Sequence, residues 1–417
     1  MVLTYIWVSF FFIAFAVGLV QLVFFGNTQI FPDMMKAAFE MAETAVMKIG
    51  LPLTGVITLF MGLMKIGELG GMIGIMSKVI GPFFQRLFPE LPKDHPVNGN
   101  IMMNFAANML GLDSAATPMG LKAMQEMQDL NPNKDTASNA QIMFLVLNTS
   151  GLTLIPINIM AQRAIWGAKD PSDIFIPLLI ATFCSTFAGL VYVGIKQKIN
   201  FFDPVFMGYL LAIVGAIGGI VFYFTSLPPD RIGPISSMVS NFILLALIVS
   251  FLGLGMYRRI NVFDAFIEGA KDGFQVVIKL IPYLVGLLVG IALFRTCGAL
   301  DFLIRGVELS IVSIASVFGY VVNTEFVQAL PTAFLKPLSG GGARAMMIET
   351  MKTHGPDSFP ARLSCIFQGA ADTTLFILAV YFGSVGIKKT RYSVAGGLIA
   401  DFAGVLGAIF VAYLFFH

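Results

Sequence analysis

The stretch FLVLNTSGLTLIP, Phe144 to Pro156, and the stretch GAADTT, Gly369 to Thr374, share one feature. Each interrupts an apolar segment, Ala140 to Trp166 and Leu363 to Ile387, that meets the ~20 residues needed to span a bilayer. Polar groups at membrane depth are expensive, about 3 kcal/mol for an acid at a helix centre on the mildest scale, so such interruptions need a reason. One reason is function, because discontinuous helices at the interface of inverted repeats are where transporters bind solutes and ions. The plainer alternative is a Pro/Gly kink, at Gly151 and Pro156 in the first case, whose hydroxyls bond locally.

Working outward by the same length rule gives an all-α, polytopic membrane protein with about nine crossings. They are approximately Leu3 to Phe25, Thr44 to Lys65, Ala140 to Trp166, Ile174 to Ile195, Val205 to Thr225, Ile235 to Tyr257, Pro282 to Leu303, Leu363 to Ile387 and Ser393 to Phe416. Two further stretches, Asn98 to Leu130 and Phe326 to Lys352, are too apolar for loops yet are interrupted at Leu112 to Pro118 and Lys336 to Gly342. Each reads as a re-entrant pair of half-helices, and irregular backbone survives at that depth only beside protein or a watered cavity. Asp33 to Lys48 and Asn261 to Lys279 mix charges with apolar residues at helical spacing, as interface helices do.

The halves match in order with a slowly falling offset: Pro52 and Pro282 are 230 apart, Lys122-Ala123-Met124 and Arg344-Ala345-Met346 222, Thr153 and Thr374 221, Leu179 to Phe183 and Leu398 to Phe402 219. This is the mark of a duplicated unit. It predicts one repeat over 1–198, a linker helix within 199–230, and a second repeat over 231–417. The basic clusters Lys196 and Lys198, Arg258 and Arg259, and Lys388, Lys389 and Arg391 are placed in the cytoplasm by the positive-inside tendency. The repeats are then inverted in a cell inner membrane, with the N-terminus cytoplasmic and the C-terminus outside. Arg163 and Lys169 fall on the wrong side of this scheme.

Composition agrees. Only 12% of the 417 residues are charged and 57% are hydrophobic, against about 25% charged in soluble domains. A net charge of +2 gives no sign of a nucleic-acid partner. Cys184, Cys297 and Cys365 lack CxxC spacing, so neither disulfides nor a metal site are expected. His95, His354 and His417 lie outside the crossings and form no HExxH pattern, which leaves a hydrolase without its usual base and predicts no catalytic residues. The first segment has no basic n-region and is read as a retained helix.

The candidate residues follow from depth and spacing. Asn100, Asn104 and Asn108 recur at i, i+4 and i+8 and form one polar stripe, either interhelical glue or solute contact. Asp113, Ser114 and Thr117 open the helix after the first hairpin turn, where amides favour an anionic group and where Asp113 can equally cap the helix. Ser339, Gly340 and Gly341 form the second tip; without a GKS/T ending they are not a nucleotide loop, and close backbone approach explains the glycines. Asn148, Ser150, Asp372, Thr373 and Thr374 come from the breaks. Asp372 and Asp401, which lies deep in the last crossing and pairs by repeat with Thr182, are candidates for coupling to H⁺ or Na⁺, and Asp401 can equally neutralise a neighbouring cation.

The motifs ANMLGLDSAATPMGLKAM (Ala107 to Met124), NPNKDTASN (Asn131 to Asn139) and FLVLNTSGLTLIP resemble spore maturation protein A. IPYLVG (Ile281 to Gly286), RTCGALD (Arg295 to Asp301), KPLSGGG (Lys336 to Gly342), HGPDSF (His354 to Phe359) and GLIADFAG (Gly397 to Gly404) resemble spore maturation protein B. The resemblance implies both partners fused in one chain, with a Gate or nucleoside-recognition membrane domain akin to that of concentrative nucleoside transporters. The chain departs from the expected pattern at Asp113-Ser114, where a Gly-Asn pair is expected, and at Ala370-Ala371, where a Ser-Thr pair is expected. The function expected is a permease for a small polar solute in the lipid bilayer, not an enzyme and without a cofactor; the alternative is a non-transporting scaffold or sensor for envelope or spore assembly. The sequence leaves open whether the chain works as a homo-oligomer.

Overall fold

The computed structural model describes residues 2–417 except 93–94, 110–112, 152, 154–155 and 318–322. Among the described residues the chain is helical throughout, with no strand and one isolated bridge between Thr136 and Lys389. Among the described residues six helices are long and apolar enough to cross a membrane, or seven if the bent pair Leu284–Thr296 and Ala299–Ser310 counts as one. Long apolar runs were the easiest feature to read: Phe175–Gln197, Pro204–Thr225 and Ser393–Phe416 lie within two residues of their expected ends.

Three expected elements differ. Asp33 to Lys48 is not a separate interface helix, because Ile30–Glu43, a π turn at Thr44–Gly50 and Leu51–Leu69 form one continuous run. Pro52 has no amide hydrogen to donate, and the π turn just before it absorbs the irregularity. Asn261 to Lys279 likewise merges with the next segment into Val262–Thr296. That segment does not reach Leu303 straight: it bends by 73° where Gly298 takes φ +79°. The first half has a matching turn at Gly71, φ +91°, between Leu51–Leu69 and Met72–Leu87.

The helices group into two compact units that each draw on both halves of the chain. One comprises residues 1–59, 158–171 and 271–368, the other 60–157, 172–270 and 369–417. The first unit holds the second hairpin, Leu330–Leu335 and Gly340–His354, beside most of Phe359–Ala370, to which the Thr332 and Ser364 hydroxyls tie it at 2.6 Å. Arg163 is buried there, donating to Asp357 Oδ1 and to the Pro356 and Asp170 carbonyls. Its position against the positive-inside trend is therefore that of a buried anchor for the HGPDSF turn.

The second unit holds the first hairpin, Pro96–Met109 and Asp113–Leu130, with Asn139–Ser150, Phe175–Gln197, Thr374–Ser384 and Ser393–Phe416. Its densest contact joins Phe175–Gln197 to Ser393–Phe416, the pair matched at offset 219. A methyl placed on Gly396 would touch Val193, one on Gly189 the Ala400 methyl, and one on Gly404 Ser185, so the two helices run antiparallel. Small residues along the seam let their backbones approach, as helix association in lipid requires. Pro204–Thr225 is largely exposed, as a lipid-facing helix would be.

Candidate functional site

The first break is built by local chemistry. Ser138 and Gln141 form a reciprocal capping box that starts Asn139–Ser150, and Gly151 ends it in the left-handed region at φ +49°. A Cβ on Gly151 would stand 3.3 Å from the Asp372 amide nitrogen, so that position needs glycine for conformation and for space. The contact behind this is a hydrogen bond from Asp372 N to Thr149 O of 2.7 Å. The two interruptions, 221 residues apart in register, thus meet backbone to backbone within one unit. Past the second break, Asp372 Oδ1 accepts from Thr373 N at 2.7 Å and Thr374–Ser384 resumes.

The hydroxyls of the first break are spoken for. Thr149 Oγ1 donates to Val146 O and Ser150 Oγ to Leu147 O, both at 3.0 Å, while Thr186 Oγ1 donates to Ser150 O. These are back-bonds of a helix end, so for Ser150 the plainer reading of the sequence holds. The second break differs. Thr373 and Thr374 are buried, and Thr374 Oγ1 has no hydrogen-bond partner. Asp372 is exposed, whereas Asp401 is only 6% exposed.

The asparagine stripe divides its work. Asn100 Nδ2 donates to both Glu126 oxygens, at 2.9 and 2.8 Å, and Asn104 Nδ2 to Ala116 O at 2.8 Å, so these two clamp the arms of the hairpin. Asn108 Nδ2 instead donates to Asn148 Oδ1 at 2.8 Å, and Asn148 passes the chain to Phe144 O. Asn108 and Asn148 line a cavity of about 40 Å³ with Phe84, Phe105, Met109, Leu147, Gly151 and Thr186. A water needs about 10–15 Å³ on this measure, so the space holds a few waters and must open to admit anything larger.

At the hairpin tips the expectations fare unequally. The side chains of Asp113 and Ser114 lie outside the described residues, as do residues 110–112, and Thr117 is exposed. In the other unit Ser339 Oγ accepts from Gly342 N at 3.0 Å and caps Gly340–His354. Gln368 Nε2 donates to Gly340 O at 3.3 Å, and Gly341 is half-buried beside it. Ser339, Gly340 and Gly341 therefore belong to the first unit, and the remaining candidates to the second.

Two features escaped the sequence reading. Ser185 is fully buried in Phe175–Gln197 and its Oγ has no hydrogen-bond partner; no spacing rule distinguishes it from the many back-bonded serines of membrane helices. In the first unit Arg295 pairs with the buried Glu349 in a cavity of about 210 Å³ that Lys352, Glu40 and Asp301 also line. Nothing in the sequence around Arg295 announces this acidic partner, which only the fold reveals.

A helical membrane protein in which two broken helices touch at a polar turn belongs, by architecture, among polytopic proteins with discontinuous crossings. The chain matches the Gate family, described as nucleoside recognition, over residues 51–166. It is 41% identical over 186 residues to spore maturation protein A of Bacillus subtilis (strain 168), covering 45% of this chain and 91% of that protein. It is 39% identical over 170 residues to spore maturation protein B of the same organism, covering 41% and 90%. The chain belongs to the spore maturation protein A and B family. No solved structure matches it.

Proposed function

We propose that this protein is a secondary transporter of a small polar solute, moved by alternating access and driven by H⁺ or Na⁺. The observation that carries the reading is the 2.7 Å bond from Asp372 N to Thr149 O, which joins two interrupted helices at their polar turns. A break presents amide ends and carbonyl ends to solutes and ions at mid-membrane, which a continuous helix cannot do. Solute contacts are assigned to Asn108, Asn148, Asp372 and Thr373, all in the second unit. Nucleosides head the list of solutes to try, because the matching family is described by their recognition; the relatives' names suggest spore maturation as the setting. We read residues 1–198 and 231–417 as inverted repeats joined by the helix within 199–230; the antiparallel Phe175–Gln197 and Ser393–Phe416 pair supports this. No step of this mechanism requires catalysis.

Charge supports an orientation. In the second unit Gln197 Nε2 donates to Asn139 O, Tyr392 Oη to Asn139 Oδ1, and Lys388 and Lys389 amides to Asp135 O. Lys134, Lys196, Lys198, Lys388, Lys389 and Arg391 therefore cluster at one end, which the positive-inside tendency makes cytoplasmic. Ser393–Phe416 then runs outward and leaves the C-terminus outside.

The test is uptake by protein reconstituted in liposomes across a panel of nucleosides, amino acids and organic anions. Saturable uptake that Asp372→Asn abolishes supports the carrier; uptake equal to empty liposomes for every solute removes it. One observation favours the second reading, a non-transporting scaffold: the first break's hydroxyls are internally bonded and its cavity is only about 40 Å³. That reading expects no uptake and stable co-purification of an envelope protein.

A further inference from the structure

In the first unit, opposite charges share a cavity without pairing across it. The space is about 210 Å³ and is walled by Arg295, in the last turn of Val262–Thr296, by Asp301, in the first turn of Ala299–Val317, by Glu349 and Lys352 of Gly340–His354, and by Glu40 of Ile30–Glu43. All of these residues belong to the first unit. Glu349 and Lys352 stand three residues apart and so share one face of their helix. Glu349 is buried; its Oε1 accepts from Arg295 Nη1 and, at 3.5 Å, from Thr353 Oγ1, while Oε2 has no hydrogen-bond partner. A buried carboxylate depends on its cation, so the Glu349 pair holds Arg295 at the cavity wall. A guanidinium carries five N–H donors, and among the described residues Glu349 is the only acceptor that Arg295 meets. Lys352 and Asp301 are exposed, and among the described residues neither forms an ion pair; Glu40 pairs only with Lys36 of its own helix, at 3.9 Å.

We propose that this cavity binds a small zwitterion of the amino-acid class, its carboxylate on Arg295 and Lys352 and its ammonium on Asp301 and Glu40. Lysine and arginine only donate hydrogen bonds, and ionised carboxylates only accept them. An anion would answer the two cations and leave Asp301 and Glu40 facing a like charge. A cation would answer the carboxylates and meet Arg295 and Lys352. A solute that carries both signs a few bonds apart answers both sets at once, and charge-assisted hydrogen bonds of this kind are the strong ones. A divalent metal fits less well, because it takes several oxygens at one point, and among the described residues no group of acids, histidines or cysteines could hold one. At about 10–15 Å³ per water the space takes roughly 14 to 21 waters, which is room for an amino acid and short of the ~300 Å³ where drug-sized pockets begin. The site goes beyond the carrier reading, whose solute contacts lie in the second unit, and does not rest on it.

The experiment titrates the common L-amino acids, one at a time and at constant ionic strength and pH, against the purified full-length protein and reads thermal stability. Acetate and methylamine serve as the two halves of a zwitterion, and spermidine as a purely cationic solute. A ligand that binds only the folded form raises apparent stability in a saturable way. The expected result is a saturable rise with at least one amino acid that neither half, alone or mixed, reproduces. Lys352→Met and Asp301→Asn each remove one charge-assisted contact and move the midpoint to about tenfold higher concentration or beyond. Both positions are exposed, so both variants fold. Arg305→Gln, one turn beyond Asp301 and outside the cavity lining, leaves the midpoint where it was. Silence across the whole panel, an equal response to acetate, methylamine or spermidine, or unchanged midpoints in Lys352→Met and Asp301→Asn overturns the site. Uptake separates this from the carrier proposal. Amino-acid binding in protein that transports no solute keeps the site and removes the carrier, while saturable uptake in protein that no amino acid stabilises does the reverse.

Discussion

The two breaks occupy equivalent places in the two halves and touch each other, yet they are finished differently. At Asn148 to Gly151 every hydroxyl turns back onto its own helix and the Thr149 carbonyl receives the Asp372 amide. At Ala370 to Thr374 a carboxylate is exposed, a buried threonine hydroxyl has no partner, and a helix-end carbonyl stands beside Gly404. One break is closed chemistry and the other is open. Two breaks at matching positions in the sequence thus divide labour, one providing the support and the other the reactive groups.

The sharpest way to break that contrast is a pair of substitutions read by the same uptake assay. Asp372→Asn, at the open break, is expected to lower uptake at least ~10-fold, equivalent to about 1.4 kcal/mol or more of lost interaction. Ser150→Ala, at the closed one, removes a hydroxyl that bonds only Leu147 O and is expected to leave uptake within ~2-fold. Equal losses would mean that the first break's hydroxyls, and not only Asn148, face the solute.

Glycine substitutions sharpen the contrast in stability. Gly151→Ala forces an alanine into φ +49° and crowds the Asp372 amide, a cost of about 1–2 kcal/mol from the backbone alone. Gly397→Ala is conformationally harmless but brings a methyl to 2.4 Å from Thr374 Cγ2, so it costs about 1–3 kcal/mol by overpacking. Trimming the opposing side chain in Gly397→Ala/Thr374→Ser should restore thermal stability, whereas no partner substitution should rescue Gly151→Ala. Rescue of Gly151→Ala by any side-chain substitution would show that crowding, not backbone conformation, rules the first break.

A smaller effect is expected at the amide relay. Asn148→Leu removes the acceptor for Asn108 Nδ2, and interhelical hydrogen bonds in membrane proteins average about 0.6 kcal/mol. A loss of that order in denaturation of the detergent-solubilised protein is expected, while Asn100→Leu, which strips both oxygens of Glu126 of a donor, should cost more. The reverse order would make Asn108 the structural member of the stripe and Asn100 the functional one.

Much of this was legible in one dimension. The ends of Ser393–Phe416 follow from an uninterrupted apolar run, and the breaks follow from polar residues where none are cheap. The depth of Asp401 was equally plain. What the sequence hid depends on partners distant in the chain. Nothing in Arg163 announces Asp357 or the Pro356 carbonyl, and nothing in Ser185 announces its place beside Gly404. The continuity of Ile30–Leu69 was hidden for a different reason: a π turn leaves no residue signature, and the mixed charges before it look like an interface helix.

The loops that tie the two halves together at the basic end provide the mildest test. Asp135 accepts from the Thr136 hydroxyl at 2.8 Å and pairs with Lys389 Nζ at 3.3 Å, while its carbonyl receives the Lys388 and Lys389 amides. The Thr136 hydrogen bond, and then Lys389, hold the Asp135 carboxyl below the usual carboxylate value. A group whose folded pKa is depressed adds stability above its unfolded pKa, about 3.9 for Asp, and that stability fades as pH falls through the folded value. Both side chains are well exposed, so solvent screening keeps the effect small. The melting temperature of wild type should therefore fall slightly more steeply below about pH 4 than that of Asp135→Asn, which has no such proton to take up. The backbone bonds to Asp135 O survive that substitution, so the loops should stay joined at neutral pH. A large neutral-pH loss in Asp135→Asn would instead make the ion pair, and not the backbone, the clasp between the loop before the closed break and the loop after the open one.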